Sequence, residues 1–158
     1  MKIKRLAAVI LSIVLALSVT ACGSTKSYKV DWAKCSQQTK NEFVGNKSYS
    51  YVKDLQVSEK DGMLIFSIVV DDATKPSLAP KLAETVLRRY NSNAQLQDSS
   101  VAGGSKTSRG GLYDTYQVNI AVAPNSKVDG DKSEWFVNDT IGSGVQMQHE
   151  IKLQKAYQ

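Results

Sequence analysis

The chain has 158 residues, with 20 Lys and Arg against 15 Asp and Glu, one His and two Cys, which is room for one domain with a modest core. Of the net charge of +5, three units come from Lys2, Lys4 and Arg5; without them +2 remains, so the basic balance is no argument for a nucleic-acid partner. A single histidine does not build a zinc centre without thiolates or carboxylates beside it, and no metal or cofactor is expected.

After the basic start comes an apolar run, Leu6 to Val19, interrupted only by Ser12 and Ser18. A charged opening, an apolar stretch and small residues behind it are the three parts of a secretory signal. The run has 14 residues, where a spanning helix needs roughly 20, so a retained transmembrane helix is the weaker reading. The next four residues, Val19-Thr20-Ala21-Cys22, resemble the lipobox of bacterial lipoproteins. The resemblance covers residues 1–23 and implies a diacylglyceryl group on the Cys22 thiol, cleavage just before it, and a mature chain that begins with the lipidated cysteine. Two acyl chains suffice for stable anchoring at about 0.8 kcal/mol per buried methylene. The implied location is the extracytoplasmic face of a cell membrane, with the outer membrane open to it in a double-membraned cell. Residues 1–21 are then the signal, 22–30 the lipidated cysteine and a polar tether, and 31–158 one domain. A lipidated Cys22 cannot pair with Cys35, which becomes an odd thiol. It reads first as a small buried residue, then as a site of intermolecular pairing.

Asp31 to Phe43 reads either as a short helix capped by Asp31, with Trp32, Cys35 and Thr39 on one side, or as an irregular lead-in. Tyr49 to Lys60 alternates, Tyr49, Tyr51, Leu55 and Val57 on one face with Lys53 as the exception, and predicts a strand. Asp61-Gly62 is a hairpin signal, and Met63 to Val70 is apolar on both faces, as a central strand would be. Ser77 is the expected N-cap of an amphipathic helix with Pro80 in its first turn. Leu78, Leu82, Val86 and Tyr90 recur every four residues there, and Asn91 to Asn93 begins its fraying. Gln97 to Gly111, with four glycines, Lys106 and Arg109, reads as a flexible connector. An anion cradle of backbone N–H groups is the sharper alternative, although the loop matches no phosphate-binding motif.

"LYDTYQVNIAVAP", Leu112 to Pro124, predicts a strand. A polar turn follows at 125–133, then a strand from Glu134 to Ile141 with Trp135, Val137 and Ile141 inward. A last strand is expected over Val145 to Lys155, where Val145, Met147, His149, Ile151 and Leu153 alternate with polar residues. The expected fold is α+β: an antiparallel sheet of about five strands in the order β-β-α-β-β-β, with one amphipathic helix across one face. Its core candidates are Val57, Leu64, Phe66, Ile68, Leu82, Val86, Val118, Ile120, Val137 and Ile151.

Chemistry is sparse. His149 reads as a half-buried structural imidazole, with a Cys35–His149 acyl-transfer dyad as the sharp alternative. Asp71-Asp72 and Asp129-Gly130-Asp131 with Glu134 lack the spacing of a calcium loop. Tyr49, Tyr51, Tyr113 and Tyr116 are the residues to inspect for an aromatic binding face; Lys106 and Arg109 are those of the loop. Three functions remain open: a non-enzymatic module that binds a protein or other envelope component, an accessory ligand-binding subunit using the sheet face or the 97–111 loop, and a small cysteine-dependent hydrolase.

Overall fold

The structure, a computed structural model, describes residues 27–145 and 149–158. Cys22 and the lipobox lie outside the described residues. The architecture is α+β: an open, mixed sheet of four strands, β1 (Val52–Lys60), β2 (Met63–Val70), β3 (Gln117–Pro124) and β4 (Val137–Ile141), in that spatial order. Helices α1 (Trp32–Phe43) and α2 (Ala79–Gln95) pack on it, and a single turn, α3 (Leu112–Thr115), precedes β3.

Asp61 and Gly62 both take positive φ, 53° and 79°, and close the β1–β2 hairpin with Lys60 opposite Met63. The pairing shifts by one residue between Val52 and Asp54. That bulge turns Val52 inward and Lys53 outward, which accounts for Lys53 breaking the alternation. Tyr49 and Tyr51 lie before the strand, Tyr49 in a 3-10 turn, rather than within it.

The largest departure from expectation is the middle of the sheet. β2 and β3 run parallel, Met63 beside Gln117 and Val70 beside Pro124. Parallel neighbours require a crossover, and residues 71–116 provide it with α2 as its main element. An all-antiparallel sheet is therefore corrected to a mixed one. The expected fifth strand is absent among the described residues of Val145–Lys155: 149–154 are irregular and Lys155–Tyr157 is a 3-10 turn. Ile151 is nevertheless buried and Leu153 packs against the core, so the alternation reflects packing without ladder pairing. Leu112 to Thr115 is helical where a strand was expected. Its Gly110–Gly111 lead-in turns the chain, and Tyr113 N–H returns to Gly110 O.

The lead-in of two readings is a helix. Asp31 accepts the Lys34 N–H at 2.9 Å, and Cys35, Thr39 and Phe43, four apart, are its buried line. α2 starts two residues beyond Ser77, after a 3-10 turn and without a side-chain cap. It continues through Asn91 and Asn93, both buried, because each amide finds partners: Asn91 holds Ala102 O and Leu112 N–H, and Asn93 donates to Thr39 and Glu42. All ten core candidates are buried. Both helices belong to one cluster with Leu55, Leu64, Phe66, Ile68, Val118 and Ile120. On the other face Ala121 and Ala123 join only Trp135 and Val128.

Both edge strands are guarded by an aspartate that accepts the next residue's N–H: Asp54 that of Leu55, Asp139 that of Thr140, each at 2.8 Å. Burial works against the Asp54 charge, but the bonds from Lys40, Gln56 and Leu55 N–H outweigh it and hold its carboxyl below the usual 3.8. A group so depressed contributes stability above its unfolded value and loses it as pH falls through the folded one. Asp54→Asn is expected to cost roughly 1 kcal/mol at neutral pH. In urea unfolding the gap to the parent chain should close progressively below pH 3.8.

Candidate functional site

The four tyrosines do not form one face. Tyr113 is fully buried, and its hydroxyl donates to Leu87 O at 2.6 Å; burial above all raises its pKa well beyond the ordinary value. Tyr116 is also buried, edge-on to Trp32 at 5.3 Å and 6.4 Å from Tyr28. Tyr49 and Tyr51 sit together at the other end of β1, where Tyr49 rests on Phe43 at 4.6 Å and lies 6.4 Å from Tyr51. Only this pair keeps exposed area enough to contact anything outside the domain.

The 97–111 loop is built, not slack. Arg109 is 2% exposed; its Nε meets Glu84 Oε2 at 2.8 Å and its Nη2 donates to His149 O at 2.7 Å. Arg88 takes the other Glu84 oxygen at 3.1 Å and donates to the carbonyls of Ser105 and Ser108. Gly110, at φ +126°, lies so close to Asn91 that a Cβ would stand 2.0 Å from its Cγ. Glycine is thus obligatory there both for the backbone angle and for space. Arg109 belongs to the interior, and Lys106 alone of the two basic candidates is exposed. Nothing in the sequence near Arg109 marks its burial, because its carboxylate partner lies 25 residues upstream.

Cys35 is fully buried on α1 and donates to Tyr90 O at 3.5 Å. Burial, with the charges of Asp31 and Glu42 behind it and the contact with Tyr90 acting the other way, pushes the thiol up to about 12. A reactive cysteine needs the opposite environment. His149 keeps different company: its Nε2 lies 2.8 Å from Asp139 Oδ2, a half-exposed pair beside β4. The two residues of the imagined dyad thus have separate partners. His149 stands on a bend, not in a strand.

The His149–Asp139 pair does line a concavity that sequence reading missed. An open groove of about 520 Å³ runs between β4 and the C-terminal segment, lined by Asn138, Asp139, His149, Glu150 and Lys152 among others. Its walls mix polar and apolar surface, Leu153 among them, and carry both signs of charge, and the groove is too open to enclose an apolar ligand. The segment is tied to the stretch that leads into β4 by Gln154 N–H to Phe136 O and by the Gln154 amide to Lys132 O and Trp135 O. Among the described residues no group of three or more His, Cys, Asp or Glu is placed to hold a metal ion, and no helix is long and apolar enough to cross a membrane.

No protein-family model, curated protein or solved structure matches this chain.

Two buried tyrosines separate packing from hydrogen bonding. The Tyr113 hydroxyl has a carbonyl partner, whereas the Tyr90 hydroxyl finds no nitrogen or oxygen partner among the described residues and faces the Cys35 thiol. Tyr113→Phe should cost about 1 kcal/mol and Tyr90→Phe should be neutral or slightly stabilising, as read from urea midpoints; equal losses would contradict the assignment. Cys35 should stay silent to a disulfide reagent such as DTNB at pH 8 in the folded chain and react fully once urea unfolds it.

Proposed function

We propose that the chain is a lipid-anchored extracytoplasmic protein of a bacterium. A diacylglyceryl group on Cys22 holds it at the membrane, and its α+β domain serves as a non-enzymatic module that binds another surface component or supports an envelope assembly. The observation that carries this reading is the succession of Lys2, Lys4 and Arg5, the apolar run to Val19, and Val19-Thr20-Ala21-Cys22. The burial of Cys35 supports it from the other side. A thiol that sits at 0% exposure with a raised pKa is a poor nucleophile, which weighs against the hydrolase reading.

A second reading, an accessory ligand-binding subunit, is favoured by the sheet face that carries neither helix. Ser67, Asn119, Asn138 and Thr140 lie on it by register, hydrogen-bonding groups set between the buried Ile65, Val69 and Ala121. The 97–111 loop supports that reading less, since Arg109 is spent on Glu84 and His149 O.

Expression of the full chain in a lipoprotein-processing bacterium tests the anchor. The parent should fractionate with membranes and yield an N-terminal peptide carrying acyl chains on Cys22. Cys22→Ser should leave an uncleaved or unacylated form, and a parent chain with an unmodified N-terminus would end the proposal. Cross-linking in intact cells, followed by identification of the captured component, then separates a protein partner from a ligand.

A further inference from the structure

The structure shows where the tether leaves the domain. Tyr28 donates its hydroxyl to Gly111 O at 3.2 Å, Lys29 N–H goes to Asp98 Oδ2 at 2.7 Å, and Asp31 N–H goes to the Gln97 side chain at 3.0 Å. The chain therefore enters the fold against residues 97 and 98, immediately after the end of α2. The residue at that spot is Leu96, which is 80% exposed. The buried stripe of α2 ends at Ala94, so Leu96 contributes nothing to the core. Among the described residues the other large apolar side chains that stand out, Leu78 and Val145, are 42% and 39% exposed.

We infer that the C-terminal end of α2 rests on the lipid bilayer, with Leu96 inserted at the headgroup–acyl boundary and the Tyr49–Tyr51 end of the domain directed away from the membrane. The inference rests on the lipid-anchor reading of Cys22 and adds an orientation to it.

Tether length decides between orientations. Six peptide units separate Cys22 from the docked Tyr28, which is about 20 Å at full extension. A domain of this size has a radius of gyration near ~14 Å and is roughly 35 Å across. A tether rooted at one end and shorter than the domain is wide excludes the inverted orientation, with the far end on the lipid and the rooted end pointing away; of the poses left, the one with the rooted end down buries Leu96. The root lies at the end of the sheet where β3 starts. Tyr28 is beside Tyr116, and Gln117 N–H bonds Gly62 O in the hairpin turn. Tyr51 lies beyond the other end of β2, where its carbonyl accepts Asp71 N–H, eight strand residues or about 25 Å away.

Charge at the root is balanced: Lys29 and Lys34 are exposed there, and beside them stand the negative carboxylates of Asp31 and Asp98, which accept the N–H groups of Lys34, Lys29 and Ser100. The gain on contact with the bilayer is therefore that of Leu96, an apolar side chain that leaves water at the headgroup–acyl boundary.

The test uses the full chain, processed and acylated in a bacterium, with one cysteine added at a time: Leu96→Cys, or Asn125→Cys at the distal end. Cys22 is a thioether in that protein and Cys35 is buried, so an environment-sensitive NBD label goes to the new thiol. In phosphatidylethanolamine–phosphatidylglycerol vesicles, the emission at position 96 should shift to the blue and be quenched by doxyl lipids, while position 125 stays water-like and unquenched. Equal behaviour at the two positions, or a water-like signal at 96, overturns the orientation while leaving the anchor intact. A blue shift at 96 without quenching by lipid overturns it in favour of a second protein covering Leu96. A mass spectrum showing unacylated Cys22 overturns the anchor and the orientation together.

Discussion

Strands β2 and β3 lie side by side and point the same way, so the chain must travel the length of the sheet backwards between them. That return can cross only one face, and α2 makes it with Leu82, Val86, Leu87 and Tyr90 turned to the strands. Tyr90 is where the layers meet. Its ring is edge-on to Phe66 at 5.1 Å and stacked 6.5 Å from Trp32 of α1, and its carbonyl accepts the Cys35 thiol. With α2 in place, α1 has one groove to fill, between α2 and the β1 edge. It fills it with the line Cys35, Thr39, Phe43 and offers Ser36 Oγ to the outward N–H of Val57. Aromatic pairs of this kind contribute beyond their buried area, which explains why a sheet of only four strands carries two helices on one side.

The same crossover explains the polar interior of the 97–111 loop. After α2 the chain has to reach the start of β3 with a loop that lies on the protein, and such a loop must find partners for its backbone carbonyls. Arg88 serves those of Ser105 and Ser108 and Asn91 that of Ala102, while Arg109 reaches out of the loop to the His149 carbonyl. A buried arginine is costly unless paired and fully hydrogen-bonded, and Glu84 supplies the charge to both arginines from one turn of α2. Arg88 and Arg109 are thus the joints of the loop, while Lys106 stays exposed.

What was legible in the sequence is what rests on local signals. Asp61-Gly62 announces its own turn, the four-residue recurrence of Leu82, Val86 and Tyr90 announces α2, and the helix and strand periodicities together name ten core residues that all turn out buried. What was illegible depends on distant partners. No local pattern says that β2 and β3 are parallel, because the strand before a crossover reads like the strand before a hairpin. Tyr113 lies within the stretch that reads as a strand, yet its hydroxyl is claimed by Leu87 O on α2 and Gly110–Gly111 bends its backbone into a turn. His149, Ile151 and Leu153 keep a period of two because the segment lies along the core beside β4; the ladder never forms, and Gln154 ties the segment to Lys132, Phe136 and Trp135. The groove beside His149 arises from that tie, so no motif foretells it. The tyrosines illustrate the same limit: side-chain type marks a candidate, and position relative to α2 decides whether it reaches solvent.

The edges narrow how such a domain can meet another molecule. An open sheet invites strand addition wherever unpaired N–H and C=O groups line its border. Here β1 has the N–H of Leu55 on Asp54 and that of Val57 on Ser36, with α1 laid alongside. β4 has the N–H of Thr140 on Asp139, and the C-terminal segment bonds Phe136 O. A strand adding to either border would displace a charge-assisted bond before making one of its own, and at β4 it would also part Asp139 from His149. Contact through side chains carries no such cost. It is open to the helix-free face with Ser67 and Asn119, to the exposed edges of Tyr49 and Tyr51, and to the open groove beside β4.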